Sequence, residues 1–129
     1  MTRVRVLLVD DNQVLRMALS EWLSRIPGVN VVAHAGCGSE AVAELERTRP
    51  DLVLTDVEMP GMSGFDLALR IRQMADAPRV VVMSACDDLP CYGKLSQLAG
   101  ADAFMHRTKI YDPLSRYLTT QFGTAAVSR

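Results

Sequence analysis

Short apolar runs alternate with amphipathic stretches along the whole chain. Residues 3–9, 29–35, 52–55, 79–84 and 103–105 are rich in Val, Leu and other apolar residues, and their lengths suit buried strands. Apolar residues also recur every three or four positions, which predicts helices near residues 13–26, 40–49, 65–74, 89–99 and 113–122. Five alternating strands and helices are typical of a parallel sheet covered on both faces. We therefore predict a three-layer, doubly wound α/β sandwich with a five-stranded parallel sheet and right-handed crossovers.

The first predicted helix has the clearest beginning and the broadest apolar face. Asn12 suits its N-cap position, as Ser39 does for the second helix. Pro27 and Gly28 end the first helix. Seven residues at helical spacing predict its buried face: Val14, Leu15, Ala18, Leu19, Trp22, Leu23 and Ile26.

The chain is predicted to form one domain. It holds no internal repeat, low-complexity linker or second apolar core. We assign residues 1–123 to this domain and residues 124–129 to a C-terminal tail. The lack of a linker favours a stand-alone regulator over the excised domain of a longer protein.

Composition argues against several classes of protein but does not indicate a particular chemistry. The chain is 49% hydrophobic and 22% charged with a net charge of −1, which argues against direct nucleic-acid binding. Its apolar runs are far shorter than the roughly 20 residues that span a membrane. Residues 1–9 lack a long apolar segment and a small-residue cleavage site, so we expect no signal peptide and a cytoplasmic location. Cys37, Cys86 and Cys91 form no paired motif and are interpreted as incidental thiols.

Polar residues follow four of the five predicted strands. Asp10 and Asp11 follow the first strand, Asp56 the third, Ser84 the fourth and Arg107 the fifth. The carboxyl ends of parallel strands share one edge of the sheet, where ligands bind at the reversal of strand order. An Asp at a strand end is often a helix cap or turn former. Three such residues at the ends of specified strands favour a common site instead.

The residue types at this edge predict phosphoryl chemistry. Three carboxylates in one cleft repel one another, and some would take up protons unless a cation lies among them. Oxygen ligands without His or Cys favour Mg²⁺ as that cation. Asp56 could act as the nucleophile and Ser84 as a hydroxyl donor. Arg107 or Lys109 could supply the second cation that phosphoryl transfer requires.

Four segments resemble the receiver domain of two-component response regulators. They are Val-Leu-Leu-Val-Asp-Asp-Asn at 6–12, Asp-Leu-Val-Leu-Thr-Asp-Val-Glu-Met-Pro-Gly-Met-Ser-Gly at 51–64, Val-Val-Val-Met-Ser-Ala at 80–85 and Gly-Ala-Asp-Ala-Phe at 100–104. The resemblance extends from about residue 4 to residue 122, and the central Asp-x-x-Met-Pro-x-Met-x-Gly block is highly specific. It implies a flavodoxin-like fold with strand order 2-1-3-4-5.

The resemblance also implies a chemistry for the acidic residues. Asp56 would accept a phosphoryl group from a phosphohistidine of a sensor histidine kinase or a histidine phosphotransfer protein. Asp10 and Asp11 would hold Mg²⁺ together with Asp56 and the backbone carbonyl of Glu58. The protein would then be a signalling switch rather than a turnover enzyme.

The switch residues are implied in the same way. Ser84 would turn its hydroxyl toward the phosphoryl group, and Phe104 would move with it. The face formed by the fourth helix, fifth strand and fifth helix would report the state to a downstream protein. Phosphorylation-linked dimerisation is common in this family, and the sequence leaves it open here.

One position departs from the family pattern. Receiver domains usually have Lys where this chain has Arg107, often followed by a Pro that is absent here, so no cis peptide bond is expected. Arg is planar and bidentate and is not a neutral replacement for Lys. Either Arg107 takes the role, or Lys109 reaches in; Arg107 is favoured because it holds the family position and keeps the charge.

Two further residues lie close in sequence to the predicted site residues Asp56 and Ser84. Glu58 and Cys86 each lie two residues past a predicted site residue. In this family such positions border the path of attacking water and would tune the lifetime of the phosphate. Solvated loop residues are an equally good interpretation. His34 and His106 lack partners at metal-ligand spacing and are interpreted as structural.

Two other functions compete with the switch. A degenerate receiver would act as an interaction module without phosphorylation, and its support is the Arg107 substitution. An aspartate-nucleophile phosphatase would use Glu58 as its acid/base, but the chain is short for the usual cap and lacks a Thr or Val at the place where that family has one beyond the acid/base.

Overall fold

All five predicted strands form, and they make one parallel sheet. The computed structural model describes residues 3–85 and 91–124. The strands are β1 (Val4–Val9), β2 (Val29–Ala35), β3 (Leu52–Asp56), β4 (Arg79–Ser84) and β5 (Ala103–His106). Their order across the sheet is β2-β1-β3-β4-β5, with every neighbouring pair parallel, which confirms the predicted topology.

Helices cover both faces of this sheet. They are α1 (Gln13–Ser24), α2 (Gly38–Thr48), α3 (Gly64–Arg72), α4 (Cys91–Leu98) and α5 (Tyr111–Phe122), with a short 3-10 turn at Arg107–Lys109 between β5 and α5. The first two residues predicted for the fourth helix, 89 and 90, lie outside the described residues. The three-layer sandwich is confirmed.

The two layers of helices enclose two separate cores. Val6 and Leu8 of β1 pack in the core that α1 and α5 cover, whereas Leu7 and Val9 pack in the core that α2 and α3 cover. Successive side chains of a strand point to opposite faces, so a central strand covered on both faces is apolar at most positions. This explains why the strands appear in the sequence as nearly continuous apolar runs.

The helix starts follow local capping rules, with one correction. Asn12 caps α1 as predicted, since its Oδ1 accepts a hydrogen bond from the backbone N of Leu15 at 3.1 Å. Ser39 was expected to cap α2, but it lies within the first turn and Cys37 occupies the N-cap position. The α2 helix therefore begins two residues earlier than predicted.

The predicted apolar face of α1 is only partly buried. Leu19, Leu23 and Ile26 lie in the core, but Val14 is 78% exposed and Leu15 44% exposed. The first turn of α1 begins at the carboxyl edge, where the strands end and offer little surface to pack against. The prediction was therefore wrong for Val14 and Leu15 in the first turn and for Ala18 in the next, which is also exposed, although the spacing was helical.

The end of α5 lies close to the predicted domain boundary. Gly123 adopts a left-handed conformation (φ 72°) that ends the helix, and Thr124 is buried beside it. Residues 125–129 of the predicted tail lie outside the described residues, so the boundary stays a prediction. In the described ranges the peptide bonds are trans, and no helix combines the length and apolarity needed to cross a membrane.

We predict that Leu54→Ala destabilises the domain by about 2–5 kcal/mol, because it leaves a cavity in the core between the sheet and the α1–α5 layer. Leu54 is fully buried. Leu98→Ala is the matched control, since Leu98 is 64% exposed. Urea unfolding followed by circular dichroism measures both, and equal losses of stability would contradict this account of the core.

Candidate functional site

Three carboxylates meet at the carboxyl edge of the sheet. Asp10 and Asp11 follow β1, and Asp56 ends the neighbouring strand β3. One carboxylate oxygen from each lies within 4.8 Å of the others. Asp10 and Asp56 are buried, whereas Asp11 is exposed. The structure therefore brings together the acidic residues that the strand ends predicted.

Hydrogen bonds hold the loop after β1 in place. The backbone N of Asp10 donates to the carbonyl of Ala35 at 3.0 Å, and the backbone N of Asn12 donates to Asp10 Oδ1 at 2.9 Å. Arg16 donates from Nη1 to the carbonyl of Asp10 at 2.5 Å and from Nε to His34 Nδ1 at 3.2 Å. Sequence reasoning missed Arg16, although its place one turn after Asn12 on α1 was a usable signal.

The loop after β3 closes tightly onto Asp56. Val57 donates its backbone N to the carbonyl of Met83 at 2.9 Å, and Gly64 donates its own to the carbonyl of Val57 at 3.0 Å. A Cβ atom on Gly64 would lie 2.3 Å from the carbonyl oxygen of Asp56, which is too close for any side chain. The glycine of the 51–64 block is thus required for the loop to pack against the strand end.

Arg107 supplies the cation that contacts these carboxylates. Its guanidinium forms an ion pair with Asp10, and its Nη1 lies 3.5 Å from Asp56 Oδ2. The Arg107 side chain is 11% exposed, and burial lowers its pKa. Lys109 is exposed on the same turn and forms no ion pair within residues 3–85 and 91–124.

Asp56 has a strongly raised pKa. Burial, followed by the nearby charges of Glu58 and Asp11, raises the pKa of Asp56 to about 7. Its Oδ1 is buried and receives no hydrogen bond in the described part of the chain. A buried carboxylate oxygen without a donor, beside two further carboxylates, fits a hard divalent cation bound by oxygen ligands.

Ser84 lies beside these residues at the end of β4. It is fully buried, and its Oγ donates toward both Oε1 and Oε2 of Glu58, each at 2.9 Å. Sequence reasoning gave Glu58 a backbone carbonyl role, and it did not anticipate contact between its carboxylate and Ser84. The other flanking residue, Cys86, lies outside the described residues.

Phe104 belongs to a row of aromatic rings. Its ring is half-buried and nearly perpendicular to those of His106 and Tyr92, at centroid distances of 5.4 and 6.1 Å. Tyr92 packs in the same way against Phe65 at 5.3 Å. The row links β5 through α4 to the first turn of α3. Sequence reasoning missed Phe65 and Tyr92, because their contact depends on how α3 and α4 pack.

Comparison with known proteins agrees with this geometry. Residues 6–112 match the family described as the response regulator receiver domain, and the chain belongs to that family. It is 34% identical over 102 residues to the response regulator GacA of Pseudomonas aeruginosa, covering 79% of this chain and 47% of that protein. It is 35% identical over 106 residues to the transcriptional regulatory protein LiaR of Bacillus subtilis, covering 81% of this chain and 49% of that protein.

Solved structures show the same fold. The signal receiver domain of the putative response regulator NarL from Mycobacterium tuberculosis matches with a TM-score of 0.79 and 32% identity, covering 88% of this chain and 94% of that one. The response regulator domain of Thermotoga maritima CheB matches with a TM-score of 0.83 and 25% identity, covering 98% and 99%. The chain spans about half the length of the two curated relatives. Receiver domains of response regulators are signalling switches.

We predict that Asp56→Asn stabilises the metal-free protein at pH 8. A carboxyl whose pKa is raised on folding stabilises the folded state below its unfolded pKa of about 4, and that contribution is lost as pH rises through about 7. The variant lacks this ionisation, so its melting temperature should exceed that of the unsubstituted protein by on the order of 5 °C at pH 8, with the difference shrinking toward pH 4.

Thermal unfolding in EDTA from pH 4 to pH 8 measures this difference. The comparison with the unsubstituted protein at each pH cancels the contributions of the other acids. Parallel stability curves for the two proteins would show that Asp56 ionises normally.

Proposed function

We propose that the chain is a phosphorylation-dependent switch in which Asp56 accepts a phosphoryl group from a phosphohistidine of a sensor histidine kinase or a histidine phosphotransfer protein. The observation that carries the proposal is the burial of the Asp56 carboxylate among other charged groups. It is a buried carboxylate at the end of β3, with two carboxylates and the guanidinium of Arg107 gathered around it. An enclosed carboxylate with an adjacent cation is suited to form an acyl phosphate.

The acidic cluster would hold Mg²⁺. Asp10, Asp11 and Asp56 would provide carboxylate oxygens, and the backbone carbonyl of Glu58 would complete the protein ligands. When bound, the ion would supply positive charge that offsets the charge on the transferring phosphoryl group. The buried Oδ1 of Asp56, which receives no hydrogen bond from the described residues, supports this assignment.

The transfer forms one bond to phosphorus and breaks another. A carboxylate oxygen of Asp56 forms the new bond, and the bond between phosphorus and the donor imidazole nitrogen breaks, with its electron pair returning to the ring. The N–H groups of Arg107 can donate to phosphoryl oxygens from their position beside Asp56. Ser84 offers a hydroxyl from the adjacent strand end.

The output would pass to a protein partner through α4, β5 and α5. A phosphoryl group brings additional negative charge to an enclosed site, which favours any arrangement that donates hydrogen bonds to it. Ser84 pairs with His106 across the sheet, the ring of His106 lies against Phe104, and Phe104 contacts Tyr92 of α4. A shift at Ser84 would therefore reach this face through neighbouring residues. Leu95 and Leu98 of α4 are 40% and 64% exposed, which suits a surface that binds a downstream protein.

The degenerate alternative receives no support from the site. Its basis was the replacement of the usual Lys by Arg107. That residue nevertheless lies among the carboxylates and keeps a positive charge there. We therefore retain the phosphorylated switch, which the following experiments test.

We predict that the protein takes up one phosphoryl group from a small phosphodonor in the presence of Mg²⁺ and that Asp56→Asn abolishes this uptake. The amide cannot form an acyl phosphate. Asp76→Asn is the matched control, because Asp76 is exposed and has a positive φ that Asn tolerates. Intact-mass spectrometry measures the uptake, and uptake that survives in Asp56→Asn would assign the phosphorylation to another residue.

We predict that Arg107→Ala slows phosphoryl uptake roughly tenfold to a hundredfold, because it removes donors that lie beside the reacting carboxylate. Lys109→Ala should change the rate less than about twofold, since Lys109 is exposed and forms no ion pair with the described acids. Stopped-flow phosphorylation assays compare the two variants. A larger loss from Lys109→Ala would place that residue in the role proposed for Arg107.

A further inference from the structure

The carboxylate of Glu58 has no part in the phosphoryl transfer as described above, yet it contacts a residue that does. Both of its oxygens lie 2.9 Å from the Oγ of Ser84. Ser84 is fully buried, whereas Glu58 is exposed. A buried hydroxyl therefore points toward a carboxylate at the surface of the site.

The register of the sheet creates this contact. Asp56 of β3 is paired with Met83 of β4, and the backbone N of Val57 donates to the carbonyl of Met83 at 2.9 Å. This bond carries the chain past the end of β3 alongside β4, so that Glu58 comes next to Ser84. The contact therefore follows from the backbone pairing rather than from a flexible side chain alone.

We propose that Glu58 is a positioning residue that holds the Ser84 hydroxyl in the unphosphorylated protein and releases it when Asp56 is phosphorylated. This inference rests on the proposed function. It assigns the Glu58 carboxylate a role in setting the balance between the two states of the switch.

Hydrogen-bond chemistry makes the two states exclusive. A serine hydroxyl has one proton to donate, and both the Glu58 carboxylate and a phosphoryl oxygen are strong anionic acceptors. Ser84 cannot satisfy both with a single strong bond. A phosphoryl group on Asp56 also repels the Glu58 carboxylate, whose charge already acts on Asp56. The incoming group thus weakens the bond that it must replace.

Glu58 would accordingly oppose activation. Removing its carboxylate frees Ser84 to bond a phosphoryl group without first losing a charge-assisted bond. Removing it also takes a negative charge away from Asp56, and this second effect would act even without Ser84. The two effects are separated by making the Glu58 substitution with and without the serine hydroxyl.

The experiment is a double-mutant cycle read out by beryllofluoride binding in the presence of Mg²⁺. Isothermal titration calorimetry compares the unsubstituted protein with Glu58→Ala, Ser84→Ala and the double variant. Glu58→Ala should bind beryllofluoride roughly tenfold more tightly when Ser84 is present, as expected for loss of one charge-assisted bond. In the Ser84→Ala background the gain should be at most about threefold, which is the effect of charge alone.

Two further variants sharpen the comparison. Glu58→Gln keeps an oxygen acceptor but loses the charge, so its affinity should lie between those of the unsubstituted protein and Glu58→Ala. Glu46→Ala removes an exposed carboxylate near the far end of α2 and should leave the affinity within about twofold.

A spectroscopic measurement tests the same inference without altering Ser84. In the metal-free, unphosphorylated protein, the backbone amide resonance of Ser84 in Glu58→Ala should move toward its position in the beryllofluoride complex. Glu46→Ala should leave it in place. An unmoved Ser84 resonance in Glu58→Ala would overturn the inference.

The outcomes separate the two proposals. Equal gains from Glu58→Ala with and without the Ser84 hydroxyl would mean that charge alone acts, and the positioning role would be wrong while the proposed function stood. Failure of the unsubstituted protein to bind beryllofluoride with Mg²⁺ would instead overturn the proposed function, and the role of Glu58 with it.

Discussion

Asp56 is enclosed among other carboxylates, and this enclosure sets the electrostatics of the whole site. Burial and the charges of Glu58 and Asp11 raise its pKa to about 7, so its ionised form is disfavoured until positive charge or a bond to phosphorus offsets that cost. Arg107 provides part of the offset from the 3-10 turn that follows β5. The proposed metal and phosphoryl group would relieve the same electrostatic cost, which links both to the conformation of the protein.

The fold creates this enclosure through backbone pairing. The order β2-β1-β3-β4-β5 places the ends of β1, β3 and β4 side by side, and hydrogen bonds then hold the loops that follow β1 and β3. Gly64 lets the loop after β3 approach Asp56 more closely than any other residue would allow. Two apolar cores fix the sheet beneath, so the polar residues at its edge are held by rigid elements.

The neighbours of Asp56 differ in what they offer the reaction. Arg107 replaces the usual Lys, and its planar guanidinium contacts Asp10 and Asp56 together, which a single ammonium does less readily. On the other side, Glu58 engages the hydroxyl of Ser84. Arg107 thus contacts the carboxylates, and Glu58 occupies a donor that the proposed phosphorylated state would require.

The pattern of residues along the chain was enough to predict the layered fold, the strand order through the family resemblance, and the acidic residues at the strand ends, because these depend on periodicity and on a contiguous motif. It predicted buried Val14 and Leu15 wrongly, since a helical spacing does not show where the sheet beneath the helix ends. Family position alone favoured Arg107 over Lys109. The contact of Arg107 with the carboxylates and that of Glu58 with Ser84 are seen only once the chain is folded. Those contacts join residues far apart in the chain, and their geometry is set by strand register and loop packing, which no local pattern encodes.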